Sequence, residues 1–353
     1  MLIPRLDVRF SLPQQLSFVF GKPYLPHKGE FLLNHSRCAI FLALKSLRLP
    51  PRTGIGVMVY NCHTVMNAIE QAGYTNVFID VDDNLMIDFD DLRKKASLIS
   101  ALVVTHLFGI VNDIQAIKNE FPHLLVIEDC AHAGGIEHLH GDFATFSIGQ
   151  GKFPSLGDGG ILLVLNGQYL DEVNTIYSQI SSYSIVESLG LFTKLLINSI
   201  LYVPWVYCWL TFPIKRRRYY ISGREKVNQK KMNRGVSAMY ASTKAKVDVE
   251  KEIRKKLQIA KFEAQWIAKD INHYCIGFNA FMLVANCDNP KLLQEKLRKR
   301  GVESATHFVC AIDWALEFGY RYGDCPNAEK LINHLLMLPT YKQHNNNESL
   351  VHD

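Results

Sequence analysis

Six short apolar runs, at residues 55–59, 77–79, 102–104, 124–127, 144–147 and 161–164, are interleaved with stretches of helical spacing at 64–72, 89–96 and 114–121. This alternation narrows the fold more than any other feature of the chain. Strands that are apolar along their whole length are buried on both faces. A strand–helix–strand rhythm gives a mostly parallel sheet covered by helices. A further helix over 36–49 carries Ala39, Ile40, Ala43, Leu44 and Leu47 at helical spacing. With 353 residues, 48% of them apolar, the chain has material for one large α/β domain with an appendage, or for two packed domains. Ligands of such sheets bind beyond the carboxyl ends of the strands. The residues that end the apolar runs are therefore the first place to look for a site.

Two of those ends carry chemistry. Glu128-Asp129 closes the run 124–127, and Ser147 closes the run 144–147, followed by Ile148-Gly149-Gln150-Gly151-Lys152. A lysine in a glycine-rich loop and a carboxylate at the end of a buried strand are a pair that pyridoxal phosphate (PLP) chemistry requires. The lysine forms the Schiff base, and the carboxylate keeps the pyridinium nitrogen protonated so that the ring serves as an electron sink.

The surrounding residues resemble the DegT/StrS-type family of PLP-dependent nucleotide-sugar aminotransferases. Val126-Ile127-Glu128-Asp129-Cys130-Ala131-His132-Ala133 is similar to that family's V-I-E-D-A-A-Q/H-A, and Gly141-Asp142-Phe143-Ala144-Thr145-Phe146-Ser147 to its G-D-x-x-x-F-S. Gly157-Asp158-Gly159-Gly160, His106-Leu107-Phe108-Gly109, Cys325-Pro326-Asn327-Ala328-Glu329 and Leu336-Met337-Leu338-Pro339 match further motifs in the family's order. The resemblance implies the fold-type I architecture: a mostly parallel seven-stranded sheet with one antiparallel strand and helices on both faces, plus a small C-terminal α+β domain. It also implies site roles. Lys152 would be the Schiff-base lysine and proton carrier, Asp129 the partner of the pyridine nitrogen, and His132 a donor to the cofactor's 3′-oxygen. Ser147 would bind the cofactor phosphate together with the helix start at Ser36 and Arg37, Cys62 would pack on the ring, and His307 would contact substrate. Asn233, contributed by the second subunit of a homodimer with shared sites, would reach the phosphate.

Two positions depart from the pattern. Where the family has S-G-T or S-G-R, this chain has His35-Ser36-Arg37 and lacks the glycine. Where the family commonly has an aromatic ring-stacking residue, the register gives Cys62, with His63 as the alternative.

The rest of the chain sets limits. A net charge of +5 is too mild and too clustered for a nucleic-acid-binding surface. The eight cysteines form no C-x-x-C pair, which removes zinc-ribbon and thioredoxin-like readings, and no metal is expected. The start, Met1-Leu2-Ile3-Pro4-Arg5-Leu6-Asp7, lacks a signal-peptide layout, so a cytoplasmic protein is expected. Residues 195–214 hold no charge and run into Lys215-Arg216-Arg217-Arg218. That is the length of a membrane span with a positive flank. Asn198, Ser199, Pro204 and Pro213 argue against spanning, as does enzyme-like sequence on both sides. Docking at the inner membrane surface and packing inside a dimer are the remaining readings, and the cations favour docking.

The expected organisation is a large PLP-binding domain over 1–237, with an apolar and basic insertion at about 187–230. A bridging helix over 238–272 and a small domain would occupy 238–353. Within the small domain, strands are expected at 277–285 and 301–309 around a helix at 290–300, with a mobile polar tail near 345–347. The function expected is transfer of an amino group, with glutamate as the expected donor, to a nucleotide-linked keto-sugar, for surface polysaccharide or a related glycoconjugate. Two alternatives stand beside it. A sugar dehydratase of the same fold would replace the lysine by histidine, so Lys152 opposes it. A degenerate homologue would bind PLP or a sugar nucleotide and act as a membrane-docked assembly or regulatory partner.

Overall fold

The computed structural model describes residues 10–216, 224–243 and 246–340. All six apolar runs are strands. After helix α1 (Leu12–Phe20) and strand β1 (Glu30–Leu33) come α2 (Ser36–Ser46), β2 (Gly54–Met58), α3 (His63–Gln71), β3 (Thr75–Ile79) and α4 (Phe89–Lys95). Then follow β4 (Ala101–Thr105), α5 (Ile114–Glu120), β5 (Leu125–Asp129), β6 (Phe143–Ser147) and β7 (Gly160–Val164). The seven strands form one sheet in the order β1-β7-β6-β5-β4-β2-β3. Only β7 is reversed, pairing antiparallel with both β1 and β6 while β6, β5, β4, β2 and β3 run parallel. Burial along β4 is complete, as a central parallel strand requires.

Successive residues of a strand point to opposite faces, and β1 shows that both faces are covered. Phe31 and Leu33 join the main core, whereas Leu32 joins a second cluster with Ile161, Leu191, Leu195 and Val236. That second cluster is supplied by α7 (Ile185–Leu201) and α10 (Arg234–Ser242), whereas α6 (Leu170–Ser178) packs on the main core. Between α7 and α10 come α8 (Pro204–Val206), a π turn (Tyr207–Thr211) and α9 (Phe212–Arg216). Ser184 opens α7 with a capping box completed by Glu187. The axis bends by 77° between α7 and the arm Pro204–Ile214. Among the described residues no single helix is long and apolar enough to cross a membrane.

The C-terminal part departs from expectation in three places. The bridging helix is not continuous from 238: α10 ends at Ser242 and α11 (Lys246–Trp266) starts afresh. Of the strand expected over 277–285 only the end forms, as β9 (Leu283–Asn286); residues 277–282 are a loop after β8 (His273–Ile276) that docks on the turns at Gly109 and His132. Gly277 lies so close to Gly109 that any side chain there would collide with backbone. The segment 301–309 is a loop tied to β10 (Leu335–Leu338) by one bridge, Ala305 to Met337. α12 (Pro290–Lys299) forms as expected, and α13 (Ala311–Glu317) and α14 (Pro326–Leu331) complete the part. Its sheet, in the order β10-β9-β8, is antiparallel rather than βαβ-like. Val284 and Met337 project into the main core while Leu283, Ala285, Leu336 and Leu338 form a separate cluster with α11 and α12. The tail at 345–347 lies outside the described residues. The division at 237/238 remains a proposal, with α10 running across it.

Candidate active site

Asp129 is the last residue of β5, and the strand register sets it between Thr105 of β4 and Thr145 of β6. Its carboxylate is buried and held at both oxygens: Thr105 Oγ1 donates to Oδ2 at 3.1 Å, and the Ala131 N–H donates to Oδ1 at 3.1 Å. Thr105 is fixed in turn by Asn61 Nδ2 at 2.8 Å. Burial raises the pKa of the carboxyl above the ordinary range, although the Ala131 N–H, the Lys152 charge and Thr105 all pull the other way. A carboxyl so placed holds a shared proton firmly without being released to solvent.

Lys152 reaches this corner from the loop after β6. Its N–H closes a turn on Gly149 O at 3.1 Å, Gly151 takes the left-handed φ of 73° that the turn demands, and the Gly151 N–H bonds to Ser155 Oγ at 3.0 Å. Lys152 Nζ sits 5.7 Å from the centroid of the Phe281 ring. Two cavities meet at this side chain. One of about 920 Å³ is walled by α1, the Lys152 loop, Ser199 of α7 and Met239 of α10. The other, of about 440 Å³, is lined by Cys62, His307 and Trp314 as well as Lys152.

His132 is buried in aromatic surroundings. Phe281 stacks on it at 4.7 Å and 19°, Phe108 at 5.3 Å and 26°, and Phe308 at 5.8 Å and 13°. Its Nδ1 accepts the Phe108 N–H at 3.2 Å, so in the neutral ring the proton lies on Nε2, the donor form. His307 is 5.9 Å away and hangs from Tyr60, whose hydroxyl donates to the His307 carbonyl at 2.7 Å.

The anion cradle forms where β6 and β7 meet the start of α2. Ser147 pairs with Gly160, and Gly160 lies directly against His35 and the Ser36 N–H, where a side chain would collide with backbone. No side chain caps α2: His35 Nδ1 bonds to Asp158 Oδ1 at 3.1 Å, and Tyr183 donates to the other oxygen of Asp158 at 2.9 Å. The Ser36 hydroxyl is buried with no hydrogen-bond partner. An uncapped helix start beside an orphaned hydroxyl suits a phosphate, so the residues present fit PLP. The glycine lost from the family pattern at position 36 is offset by Gly160 across the gap.

Other sequence candidates fall differently. The Arg37 guanidinium turns to Glu225 Oε2 at 2.6 Å, leaving its backbone at the helix start. Cys62 lines the smaller cavity with Lys152. Burial raises its thiol pKa, but hydrogen bonds from His63 and Thr64 outweigh this and bring it below the ordinary value. The His63 ring packs on Trp314 at 4.7 Å, which ties it to α13. Asn233 caps α10, accepting the Gly235 N–H at 2.8 Å and donating to Ser188 Oγ at 2.9 Å, and lines neither cavity that holds Lys152.

Several supporting residues were not singled out from the sequence. Asn279 donates to the carbonyls of His132 and Gly134 at 3.0 and 3.1 Å and so clips the small domain to the His132 turn. Phe281 and Phe308 supply the stacking faces. A polar residue inside the apolar run Phe278-Asn279-Ala280-Phe281 was the available signal. Glu128 accepts the N–H groups of His140 and Gly141 and faces His106 Nε2 at 3.0 Å, while His106 Nδ1 accepts the Asn112 N–H. Although His106, Glu128 and Cys130 lie close enough to share a metal ion, both His106 nitrogens and both Glu128 oxygens are already bonded. The trio serves to fix the strand ends.

Residues 32–187 match the DegT/DnrJ/EryC1/StrS aminotransferase family. Over that stretch, a little under half of the chain, the sequence is similar to that family. GDP-perosamine synthase of Escherichia coli O157:H7 is 28% identical over 141 residues, 37% of this chain and 39% of that protein. The spore coat polysaccharide biosynthesis protein SpsC of Bacillus subtilis is 28% identical over 160 residues, 42% of this chain and 41% of that protein. The chain thus spans about two fifths of these two curated relatives. In fold the likeness extends along nearly the whole chain: the PLP form of Spr1654 from Streptococcus pneumoniae superposes with a TM-score of 0.70 at 16% identity, over 99% of this chain and 96% of that one. The DegT-type matched stretch holds Ser36, Arg37, Cys62, Asp129, His132, Ser147 and Lys152. Asn233 and His307 lie outside it.

Proposed function

We propose that the protein is a PLP-dependent aminotransferase acting on a keto-sugar, with glutamate as amino donor and a nucleotide as the sugar's carrier. The observation that carries this reading is the convergence of Lys152, the buried Asp129 carboxyl and the uncapped α2 start with its orphaned Ser36 hydroxyl. The relatives named for perosamine and spore-coat polysaccharide synthesis support the sugar.

PLP, when bound, would supply an electron sink for the negative charge left as the amine-bearing carbon gives up its proton. The chain's own groups do the rest. Asp129, immobilised by Thr105 and Ala131, holds a proton at the ring nitrogen. Lys152 Nζ holds the cofactor at rest and takes and returns the proton at the substrate carbon, from a position that borders both cavities. His132 Nε2 would donate to the 3′-oxygen, and Ser36 Oγ, Ser147 Oγ and the N–H groups of Ser36 and Arg37 would hold the phosphate. Cys62 packs on the ring as a soft apolar contact. His307 meets substrate in the smaller cavity.

The reading includes a homodimer with shared sites, in which Asn233 of a second copy approaches the phosphate. The larger cavity has α1 as a wall, and α1 leaves Leu12, Leu16, Val19 and Phe20 exposed. It also includes a cytoplasmic location with peripheral contact at the inner membrane surface. The test of the chemistry is spectroscopic. Purified protein given PLP is expected to show a visible absorbance band that bleaches when glutamate is added. A protein that shows no band, or a band that glutamate leaves unchanged, is not an aminotransferase of this kind.

A further inference from the structure

The hairpin of α7 and the arm Pro204–Ile214 breaks the usual rule for a surface helix. Its inner face is apolar, with Leu191 and Leu195 in the core beside Leu156 and Ile161. Its outer face carries a second apolar stripe. Val186, Leu189, Ile197 and Ile200 stand out at helical spacing with Thr193 and Lys194 exposed among them, and Trp205 and Trp209 on the second arm are 67% and 74% exposed. An exposed apolar stripe of this size, on a helix whose inner face is already packed, marks a face that something covers.

The second arm is nevertheless a built structure. Tyr202 and Tyr207 are buried against each other with rings 5.2 Å apart, and Phe212 packs on the pair. Tyr207 donates to Glu303 Oε1 at 2.7 Å, and Thr211 donates to the Leu201 carbonyl at 2.7 Å across the bend. The outward side chains are therefore held outward by a formed inner core.

We infer that this outer face docks on an anionic lipid bilayer and seats the Lys152 cavity at the membrane surface. The proposal rests on the peripheral-contact part of the reading above and is independent of the transamination chemistry. Charge selects lipid over a second copy of the chain. Four cations, Lys215-Arg216-Arg217-Arg218, follow the second arm directly in sequence with no acidic residue until Glu225. Such a run suits phosphate headgroups and opposes itself across a two-fold interface. The exposed rings are tryptophans, which settle at headgroup depth. With a bend of 77° between them, both arms can lie along one surface.

The seat is coupled to the catalytic loop. Leu195 packs over Gly157, Asn198 Nδ2 donates to Gln150 Oε1 at 3.4 Å, and Ser199 lines the larger cavity while accepting the Phe10 N–H at 3.0 Å. One turn of α7 thus touches the loop of Lys152 on one side and presents Ile197 and Ile200 on the other.

The test is co-sedimentation of the full-length protein with phosphatidylcholine vesicles, with and without phosphatidylglycerol, at low and high salt. Pelleting only with the anionic vesicles, and less of it as salt rises, is expected. Replacing Lys215, Arg216, Arg217 and Arg218 by glutamine one at a time is expected to weaken binding about fivefold for each cation removed. The double variant Trp205→Glu and Trp209→Glu is expected to stay in the supernatant with unchanged circular dichroism and unchanged molar mass by light scattering. A parent protein that does not pellet with anionic vesicles overturns the proposal. So does a double variant that pellets like the parent, or one that falls to a smaller oligomer, which would give the face to a second copy. The glutamate-dependent absorbance change, measured without lipid, reports on the chemistry separately.

Discussion

The corner around Asp129 and the hairpin at 185–216 use the same two kinds of surface in opposite places. At the corner, carboxylate, imidazole and hydroxyl groups are buried, and nearly every one has a partner. In the hairpin, large apolar side chains are exposed although an inner core is already formed behind them. Both are costly arrangements for a chain that needs only to fold. Buried polar groups lose hydration, and exposed apolar patches invite association. Each therefore marks a place where something outside the chain is expected, a small anionic cofactor in one case and an extended surface in the other.

The largest effect tests the corner. Lys152→Ala is expected to abolish both the absorbance band and turnover while leaving the fold intact by circular dichroism. Near-normal turnover would move the site elsewhere and leave the buried polar cluster as a purely structural device. Next comes Asp129→Asn, which keeps two oxygen- and nitrogen-bonded neighbours but cannot hold a proton at a ring nitrogen. Turnover is expected to fall at least about a thousandfold, ~4 kcal/mol of barrier, with cofactor still bound by absorbance. A loss within about tenfold would separate the buried carboxyl from the chemistry.

Much of the corner was legible because its residues are consecutive. Asp129 follows a run of apolar residues, and Lys152 follows Ser147 through glycines, so both could be placed from the strand ends alone. What escaped was held by tertiary contact. Asn279 is 147 positions from His132, and nothing local reveals that 277–281 leaves the small sheet to dock on Gly109. β1, four residues at a sheet edge beginning with Glu30, is too short to show a period. The segment 301–309 reads as a strand, yet it makes only isolated bridges, such as that of Ala305, because Tyr60 and Met337 hold His307 in the cavity wall. The length and lack of charge of the hairpin were visible. Its bend, and the division of α7 into Leu195 inside and Ile197 outside, came only from the fold.

That division gives a contrast within one helix. Leu195→Ala removes a buried side chain that packs over Gly157, and is expected to destabilise the protein by about 3 kcal/mol in denaturant unfolding. Ile197→Ala, two residues on and half exposed, is expected to change stability by no more than about 0.5 kcal/mol. Equal costs would mean that the outer face is buried in the purified protein, by a second copy and not by lipid.

The smallest effect returns to the corner and to the unsatisfied hydroxyl at the helix start. Ser36 Oγ is buried without a partner, so its removal sacrifices no hydrogen bond in the cofactor-free protein. Ser36→Ala should therefore leave the stability of the cofactor-free protein unchanged or slightly raised, since an unpaired buried hydroxyl is itself a cost. With a phosphate in the cradle the same hydroxyl gains a charged acceptor, worth ~1.5 kcal/mol or more. The variant is expected to bind PLP about tenfold more weakly by fluorescence titration, with the backbone N–H groups of α2 supplying what affinity remains. Unchanged affinity would mean that the hydroxyl faces away from the anion, and the cradle would then rest on the helix start and Ser147 alone. A variant destabilised without cofactor would show instead that Ser36 has an ordinary structural bond, and the likeness between the corner and the hairpin would lose its polar half.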